Sequence, residues 1–219
     1  SIAEIKNRSP AAGELAGEGA DRVARAKTYA AAGAAAISVL TEPDRFDGHL
    51  DHLAEVVDAV PGTPVMRKDF LVDPVQVLEA RKAGASGVLL ITTMLDDSTL
   101  ASMVDVAFEH GMFVLLESFD EEDLRRSERL LDRDGQLLIG VNTRNLRTLE
   151  VDADRLRRLG PALPAARCVA ESGLNSAEDA ARVAGWGYTM ALVGTALMRS
   201  DDPAGLVRSM KDAGAAACS

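Results

Sequence analysis

The stretch "ARKAGASGVLLI", residues 80–91, joins the end of a charged helical segment to a short apolar run through a glycine. The same plan recurs at residues 30–40 ("AAAGAAAISVL"), 108–117 ("FEHGMFVLLE"), 133–142 ("RDGQLLIGVN") and 184–194 ("AGWGYTMALVG"). A glycine at such a place predicts the positive φ of a helix C-terminus or turn. The apolar runs are continuous rather than alternating, which is typical of parallel strands buried on both faces.

Counting these runs along the chain predicts eight strands separated by amphipathic helical segments. The strands are expected at residues 2–6, 36–40, 64–68, 87–91, 112–117, 137–141, 167–171 and 190–194. Eight right-handed β–α units in 219 residues predict an α/β fold of the (β/α)8 TIM barrel type. We expect residues 1–219 to form this barrel as a single domain. An open doubly wound sheet is the structural alternative, and it is disfavoured because no G-x-G-x-x-G turn follows the first strand.

Composition narrows the classes of partner. The net charge of −10 argues against nucleic acid as a partner, although it allows an anionic small molecule. No apolar run approaches the length of a membrane span, so no membrane association is expected. The two cysteines, Cys168 and Cys218, have neither the pattern of a disulfide framework nor the spacing of metal ligands. We therefore expect a cytoplasmic, reducing location and neither metal nor cofactor.

Charged residues end four of the predicted strands, and all four strands are odd-numbered. In barrels of this class the chemistry lies at the C-terminal ends of the strands, and alternate strands fill the interior in layers. Lys6, Lys68, Glu117 and Glu171 are therefore predicted to form one layer at the barrel mouth, with Glu4 one layer deeper. A lysine of lowered pKa in such a cluster supports acid–base chemistry. Isolated strand-end charges often only meet solvent, but four at matching depth argue against that interpretation.

A second pattern indicates a phosphate site. The stretches "ESGLNSAED" and "LVGTALMRS" place glycine beside serine or threonine just after strands seven and eight. The loops after these strands often bind phosphate through backbone N–H groups in barrels of this class. The candidates in these loops are Ser172, Gly173, Gly194 and Thr195, and Ser9 in "NRSP" after strand one is a further candidate through its hydroxyl.

The sequence resembles the indole-3-glycerol phosphate synthase family along essentially the whole chain. The matching stretches are "IAEIKNRSP", "AISVLTEPDRFDG", "PVMRKDF", "GVLLI", "LLES", "IGVNTRNLRTLEVD", "VAESG" and "LVGTALMRSDDP". The stretches "RKDF" and "IGVNTRNLRTLEVD" are the most specific of these. The resemblance implies a carboxy-lyase of tryptophan biosynthesis. Its substrate would be 1-(2-carboxyphenylamino)-1-deoxyribulose 5-phosphate, which loses CO2 and water to form indole-3-glycerol phosphate.

The resemblance also implies a role for each matching residue. Lys68 resembles the general acid that protonates the substrate carbonyl, Lys6 the lysine that orients the substrate carboxylate, and Glu117 the glutamate that transfers protons during dehydration. The implied substrate-binding residues are Glu4, Phe46, Leu90, Asn142, Arg144, Glu171 and Ser172. Among these, Arg144 would lie near the anthranilate carboxylate, while Phe46 and Leu90 would form apolar walls around the aromatic ring. The implied phosphate ligands are Ser9, Gly173, Gly194 and Thr195.

Several departures from the family leave alternatives open. Family members carry a segment with a capping helix before the first strand, and this sequence starts at the strand, so we expect a barrel without that extension. Phe119 stands where histidine is common, and Asn7 where a basic residue is common. A degenerate paralogue that only binds a phosphorylated ligand therefore remains an alternative, as does a Schiff-base aldolase that uses Lys68 or Lys6. We expect a monomer and leave association with other enzymes of tryptophan synthesis open.

Overall fold

A closed barrel of eight parallel strands forms the centre of the molecule. The computed structural model describes residues 1–9, 13–14, 21–145, 148–152 and 154–217. The barrel strands are β1 (Ile2–Ile5), β2 (Ala36–Leu40), β3 (Val65–Lys68), β4 (Gly87–Ile91), β5 (Phe113–Ser118), β6 (Leu137–Asn142), β7 (Arg167–Glu171) and β8 (Met190–Val193). Strands that are neighbours along the chain are neighbours in the barrel, and β8 pairs with β1 to close it. The (β/α)8 prediction is confirmed, and each strand boundary agrees with the sequence prediction to within one residue.

Helices surround the barrel. They are α1 (Arg22–Ala31), α2 (Pro43–Phe46), α3 (Leu50–Ala59), α4 (Pro74–Lys82), α5 (Asp97–Glu109), α6 (Glu121–Glu128), α7 (Arg155–Leu159), α8 (Ala177–Ala184), α9 (Thr195–Arg199) and α10 (Pro203–Ala217). Short 3-10 turns occupy Thr92–Met94 and Gly160–Ala162, and Arg8–Ser9 pairs with Gly13–Glu14 in an antiparallel ladder. Within the described ranges, no helix has both the length and the apolar character needed to cross a lipid bilayer.

Local sequence signals explain where these helices begin. Asp73 accepts a hydrogen bond from the backbone N–H of Val75, and Gln76 returns a bond to the backbone N–H of Asp73, which makes a capping box at the start of α4. Single aspartate caps begin α5 and α6 at Asp96 and Asp120. Each cap satisfies N–H groups of the first turn that have no partner inside the helix.

Glycine ends several of the helical segments, as the sequence pattern predicted. Gly33, Gly84, Gly111 and Gly187 adopt positive φ, a region that other residues rarely enter. Gly135 is the exception, because it does not have a positive φ. A Cβ at Gly135 would overlap the ring of Phe108, so close packing rather than backbone conformation accounts for glycine there.

Candidate active site

A cavity of about 530 Å³ opens at the C-terminal ends of the barrel strands. Four of the predicted charged residues line it: Glu4, Lys6, Lys68 and Glu117. Asn142, at the end of β6, also lines the cavity. The structure therefore brings together, at one mouth of the barrel, side chains that lie far apart in the sequence.

The polar base of the cavity rests directly on an apolar layer inside the barrel. The odd strands contribute to that layer Ile2, Met66, Leu115 and Val169. Because side chains on one face recur every second residue, the next layer on the same strands consists of Glu4, Lys68, Glu117 and Glu171. Lys6, which follows β1, lies above this layer. The prediction that Lys6 shares the layer and that Glu4 lies deeper is therefore corrected.

Glu4 is the ionic centre of the site. One carboxylate oxygen accepts a hydrogen bond from Lys6 Nζ at 2.6 Å and the other from Lys68 Nζ at 2.9 Å. Burial raises the pKa of Glu4, but the charges and hydrogen bonds of the two lysines outweigh burial and lower the pKa to about 2. A buried carboxylate with two cationic partners is a stable anion, and it holds both ammonium groups in place.

The acid–base state of Lys68 differs from the sequence prediction. Burial lowers the pKa of Lys68, but the negative charges of Glu4, Glu117 and Glu171 outweigh burial and raise its pKa above the usual range. The expectation of a lowered pKa is therefore wrong for this arrangement, because carboxylates rather than the second lysine dominate the surroundings. Lys68 is an ammonium at neutral pH, with its protons held in the cavity.

Glu171 lies behind the cavity wall. Its carboxyl is fully buried, and it is absent from the cavity lining, unlike Glu117 on the neighbouring odd strand. Burial and the negative charge of Glu117 together raise the pKa of Glu171 well above its usual range, against a weaker opposing effect of Lys68. The assignment of Glu171 to a ligand's sugar hydroxyls, which the resemblance implied, stays a prediction.

One side of the cavity is aromatic and aliphatic. The rings of Phe46, at the end of α2, and Phe70, just after β3, lie 6.5 Å apart and are tilted by 51°. The guanidinium of Arg45 lies 5.7 Å from the centre of the Phe70 ring. Leu40 also lines this part of the cavity. Phe46 lines the cavity, and its role as an apolar wall around an aromatic ring stays a prediction.

Leu90 does not line the cavity and is a correction to the predicted site. Its side chain belongs to the core between the strands and the helices, whereas Leu89 and Ile91 belong to the interior cluster and line the cavity. Alternation along β4 explains the difference, because neighbouring residues face opposite sides of a strand.

Asn142 links the end of β6 to the loop that follows β7. Its Oδ1 accepts hydrogen bonds from the Ser172 hydroxyl at 2.8 Å and from the backbone N–H of Arg144 at 2.9 Å. Because Oδ1 already accepts two hydrogen bonds, the amide nitrogen, which is a donor, is the group that Asn142 can offer to a ligand. The guanidinium of Arg144 lines the cavity and donates to the carbonyl of Leu149 at 2.9 Å.

Four of the predicted phosphate residues line the cavity, and they lie just after the neighbouring strands β7 and β8. Ser172 and Gly173 both have positive φ, and Gly173, Gly194 and Thr195 line the cavity together. Thr195 begins α9, so its first-turn N–H groups have no partner within the helix. The backbone of Ser9 belongs to a short ladder, but its side chain lies outside the described part of the chain.

Sequence reasoning missed several residues of the lining. Phe70 and Asp69 follow Lys68 directly, and their position after a strand end was the signal that could have identified them. Leu89 and Leu192 could have been found by applying strand alternation to the predicted bounds. Arg199, at the end of α9, also lines the cavity, and no local pattern distinguishes it from a surface arginine. In the described part of the chain, no cluster of three or more His, Cys, Asp or Glu residues is suited to a metal ion.

Comparison with known proteins places the chain among enzymes. The family model described as "Indole-3-glycerol phosphate synthase" matches residues 1–210. A protein of that name from Nocardioides sp. is 49% identical over 210 residues, which cover 95% of this chain and 78% of the relative. Another from Methanopyrus kandleri is 46% identical and covers 97% of this chain and 83% of the relative.

Solved structures agree on the fold. A crystal structure of 3-hexulose-6-phosphate synthase from Salmonella typhimurium aligns with a TM-score of 0.75 and 18% identity, covering 99% of this chain and 98% of that one. At that identity the likeness concerns the barrel alone. The family match over most of the sequence is the stronger finding, and it shows that the chain belongs to the indole-3-glycerol phosphate synthase family.

Proposed function

We propose that the chain closes the indole ring of 1-(2-carboxyphenylamino)-1-deoxyribulose 5-phosphate and releases CO2, water and indole-3-glycerol phosphate. The observation that carries this proposal is the base of the cavity, where Glu4 holds Lys6 and Lys68 by hydrogen bonds beside Glu117. Family membership supports the same reaction.

The lining of the cavity suits the three parts of this substrate. An anthranilate ring is flat and apolar, and Phe46, Phe70 and Leu89 offer it aromatic and aliphatic contacts. Its carboxylate would be attracted by the cationic groups of Lys6 and Arg144. The phosphate would lie at the glycine-lined end formed by the loops after β7 and β8, where backbone N–H groups can hold an anion.

The first chemical step needs a proton donor at the substrate carbonyl. The ring carbon that bears the carboxylate attacks the carbonyl carbon, and the electron pair of the C=O bond moves to oxygen. In the proposed mechanism Lys68 gives a proton to that oxygen, which becomes a hydroxyl. The raised pKa of Lys68 keeps this donor protonated in the free enzyme at neutral pH.

Two bond-breaking steps complete the product. CO2 leaves from the attacked ring carbon, and the electrons of that C–C bond restore the aromatic ring. The new hydroxyl then leaves as water after it receives a proton, and a proton lost from the substrate yields the second double bond of the indole. We propose that the Glu117 carboxylate takes the proton lost from the substrate and delivers it to the leaving hydroxyl, because Glu117 lines the cavity on β5, the strand opposite β1 in the barrel.

A Schiff-base mechanism fits this site less well. A lysine nucleophile must be a neutral amine. Lys68 has a raised pKa, and both lysines are ion-paired with Glu4. The arrangement therefore favours lysines that act as cations and proton donors.

The direct test follows product formation by fluorescence in wild type, Lys68→Ala and Glu117→Gln, with Lys82→Ala on the exposed end of α4 as the control. We expect both site variants to lose about 100-fold or more in kcat, since general acid–base groups contribute on that order, and Lys82→Ala to match wild type. A wild type that binds substrate but forms no product would favour the degenerate paralogue. Full activity in Lys68→Ala would remove the proposed acid.

We further propose a monomer that acts in the cytoplasm on this phosphorylated intermediate. Light scattering after size exclusion tests the first part, with the mass of a single 23.1 kDa chain expected. A larger particle would contradict it.

A further inference from the structure

We infer that Glu171 is a proton-holding positioning residue: it stays neutral in the resting protein, supports Glu117 from behind, and keeps the base of the cavity free of excess negative charge. It acts through Glu117. The kinetic part of this inference rests on the proposed function, whereas its protonation state does not.

The glycine of β6 makes room for the Glu171 carboxyl. Strand β6 lies between β5 and β7, and Gly140 pairs with Glu117 on one side and with Val169 on the other. A Cβ at Gly140 would overlap Glu171 Oε1 and would lie 3.1 Å from a methyl carbon of Leu115. The carboxyl of Glu171 thus occupies the space that a side chain on β6 would fill.

Within the described residues, neither carboxyl oxygen of Glu171 has a hydrogen-bond partner that meets normal geometry. The side chain is fully buried. A buried carboxylate without a donor is strongly unfavourable, whereas the protonated acid carries no charge and can itself donate a hydrogen bond. The adjacent Glu117 carboxyl, which acts on Glu171 both by charge and as a hydrogen-bonding neighbour, is the acceptor toward which that proton would point.

The balance of charges in the site is an independent argument that Glu171 carries a proton. The two lysines face three carboxyls, Glu4, Glu117 and Glu171, and both ammonium groups donate to Glu4. The groups that act on Glu171 are Glu117 from β5, Lys68 from β3 and Glu4 from β1. The intervening β6 presents Gly140 and Asn142, and β8 presents Leu192 and Gly194, none of which is charged. One proton on Glu171 balances the two ammonium groups against two carboxylates.

This balance matters for a substrate that carries a carboxylate and a phosphate. When Glu171 loses its proton at alkaline pH, the base of the cavity gains a negative charge, and we expect the KM for the substrate to rise. Glu171→Gln cannot ionise, and its amide can still donate a hydrogen bond to Glu117. The variant should keep a flat KM over the pH range in which the wild-type KM rises.

The unfolding equilibrium provides a test that needs no activity. A carboxyl whose pKa is raised in the folded protein stabilises the fold fully below its ordinary pKa, and that contribution is lost as pH rises through the raised value. We expect the ratio of the unfolding constants of wild type and Glu171→Gln to grow as pH rises, by up to about tenfold per pH unit. Glu109→Gln, on the exposed end of α5, is the control and should show no such trend.

Infrared spectroscopy of the wild type gives a second readout in case Glu171→Gln folds poorly. A protonated carboxylic acid has a carbonyl band that shifts in deuterium oxide. Burial raises the pKa of Asp123 to about 6, so the spectrum is recorded near pH 8, where Asp123 is ionised. The expected result is a band that persists near pH 8.

Absence of the band, or a pH-independent stability difference between wild type and Glu171→Gln, overturns the inference. Failure to form product overturns the proposed function and leaves these two readouts intact.

Discussion

Glu4 accepts one hydrogen bond from each lysine, so both ammonium groups depend on the position of one carboxylate. The space beside that carboxylate is set by Gly194, which directly follows β8. A Cβ at this position would overlap Glu4 Oε1 and would lie 2.9 Å from Lys6 Nζ. At the scale of single residues, a glycine with no chemistry of its own therefore fixes the geometry of the charged ones.

Gly194→Ala should damage activity more than stability. The added methyl group must displace Glu4, and with it both lysines, and misplacing a catalytic group by about 1 Å can cost about 100-fold in rate. Overpacking of this kind costs about 1–3 kcal/mol in the free energy of unfolding. Product fluorescence and urea unfolding measure the two effects. Gly62→Ala is the matched control because a Cβ there meets nothing within 4 Å. Equal rates in the two variants would show that the space beside Glu4 does not matter.

The sequence was informative about which residue types meet at the mouth and less so about how they pair. Lysine and glutamate at the ends of odd strands could be read directly, since strand ends fall at the same edge of a barrel. The bridging role of Glu4 could not, because the depth of each residue depends on the stagger between tilted strands. The predicted direction of the Lys68 pKa shift was also wrong. That direction depends on which charges lie nearest to Lys68, and their distances are set by the folded barrel.

At the scale of elements, a polar clamp holds the loop that follows β3. Asp69 Oδ2 accepts hydrogen bonds from Arg67 Nη2 at 2.9 Å and from the Thr41 hydroxyl at 2.7 Å, and Arg67 Nε donates to Thr41 Oγ1 at 3.2 Å. Arg67 also reaches the carbonyl of Gln76 in α4 at 2.9 Å. The clamp joins β2, β3 and α4 around Lys68, which lies between Arg67 and Asp69 in the chain. The buried arginine thereby fixes the backbone that carries the proposed acid.

Arg67→Lys should therefore act as a severe change although it keeps the charge. A lysine offers one ammonium in place of a planar fork, so it cannot bond Thr41, Asp69 and Gln76 together. We expect a loss of about 1–3 kcal/mol in the free energy of unfolding and a fall in kcat that exceeds any change in KM. Arg81→Lys on the exposed surface of α4 is the control for the chemical change itself. A normal kcat in Arg67→Lys would mean that Lys68 is positioned without the clamp.

Element boundaries were the most predictable part of the fold. Gly84 and the apolar run that follows it locate the start of β4 because the backbone must turn before the strand, and Gly84 has a positive φ of 90°. The side of the barrel wall on which each side chain lies was harder to predict. Leu90 was placed in the cavity by family resemblance, whereas alternation along β4 places Leu89 and Ile91 there. The clamp around Asp69 joins residues distant in sequence, and no local pattern indicates it.

At the scale of the whole molecule, closure of the barrel makes every strand part of one structure. Strand β1 pairs with both β2 and β8, so the residues that carry Glu4 and Lys6 have no free edge. The two hydrophobic clusters, one inside the barrel and one between strands and helices, include residues from every barrel strand. A change far from the cavity should therefore move the unfolding temperature of the whole chain without changing the site.

Two glycine substitutions test this with opposite expected signs. Gly214 lies inside α10, and a Cβ there meets nothing within 4 Å, so Gly214→Ala should stabilise the fold by about 0.5–1 kcal/mol because alanine loses less backbone entropy in a helix. Gly84 has a φ of 90°, and a Cβ there would lie 2.8 Å from Val57 Cγ1, so Gly84→Ala should destabilise the fold by about 1–2 kcal/mol or more.

Calorimetry should resolve both changes, because about 1 kcal/mol corresponds to a shift of about 2–4 °C in Tm for a domain of this size. We expect one transition in each variant, with a higher Tm for Gly214→Ala, a lower Tm for Gly84→Ala, and the wild-type kcat in Gly214→Ala. Two transitions, of which only one changes its Tm in Gly214→Ala, would contradict cooperative unfolding. Such a result would mean that α10 and the barrel unfold separately. A single shifted transition would show that α10 unfolds together with the strands that hold Glu4 and Lys68.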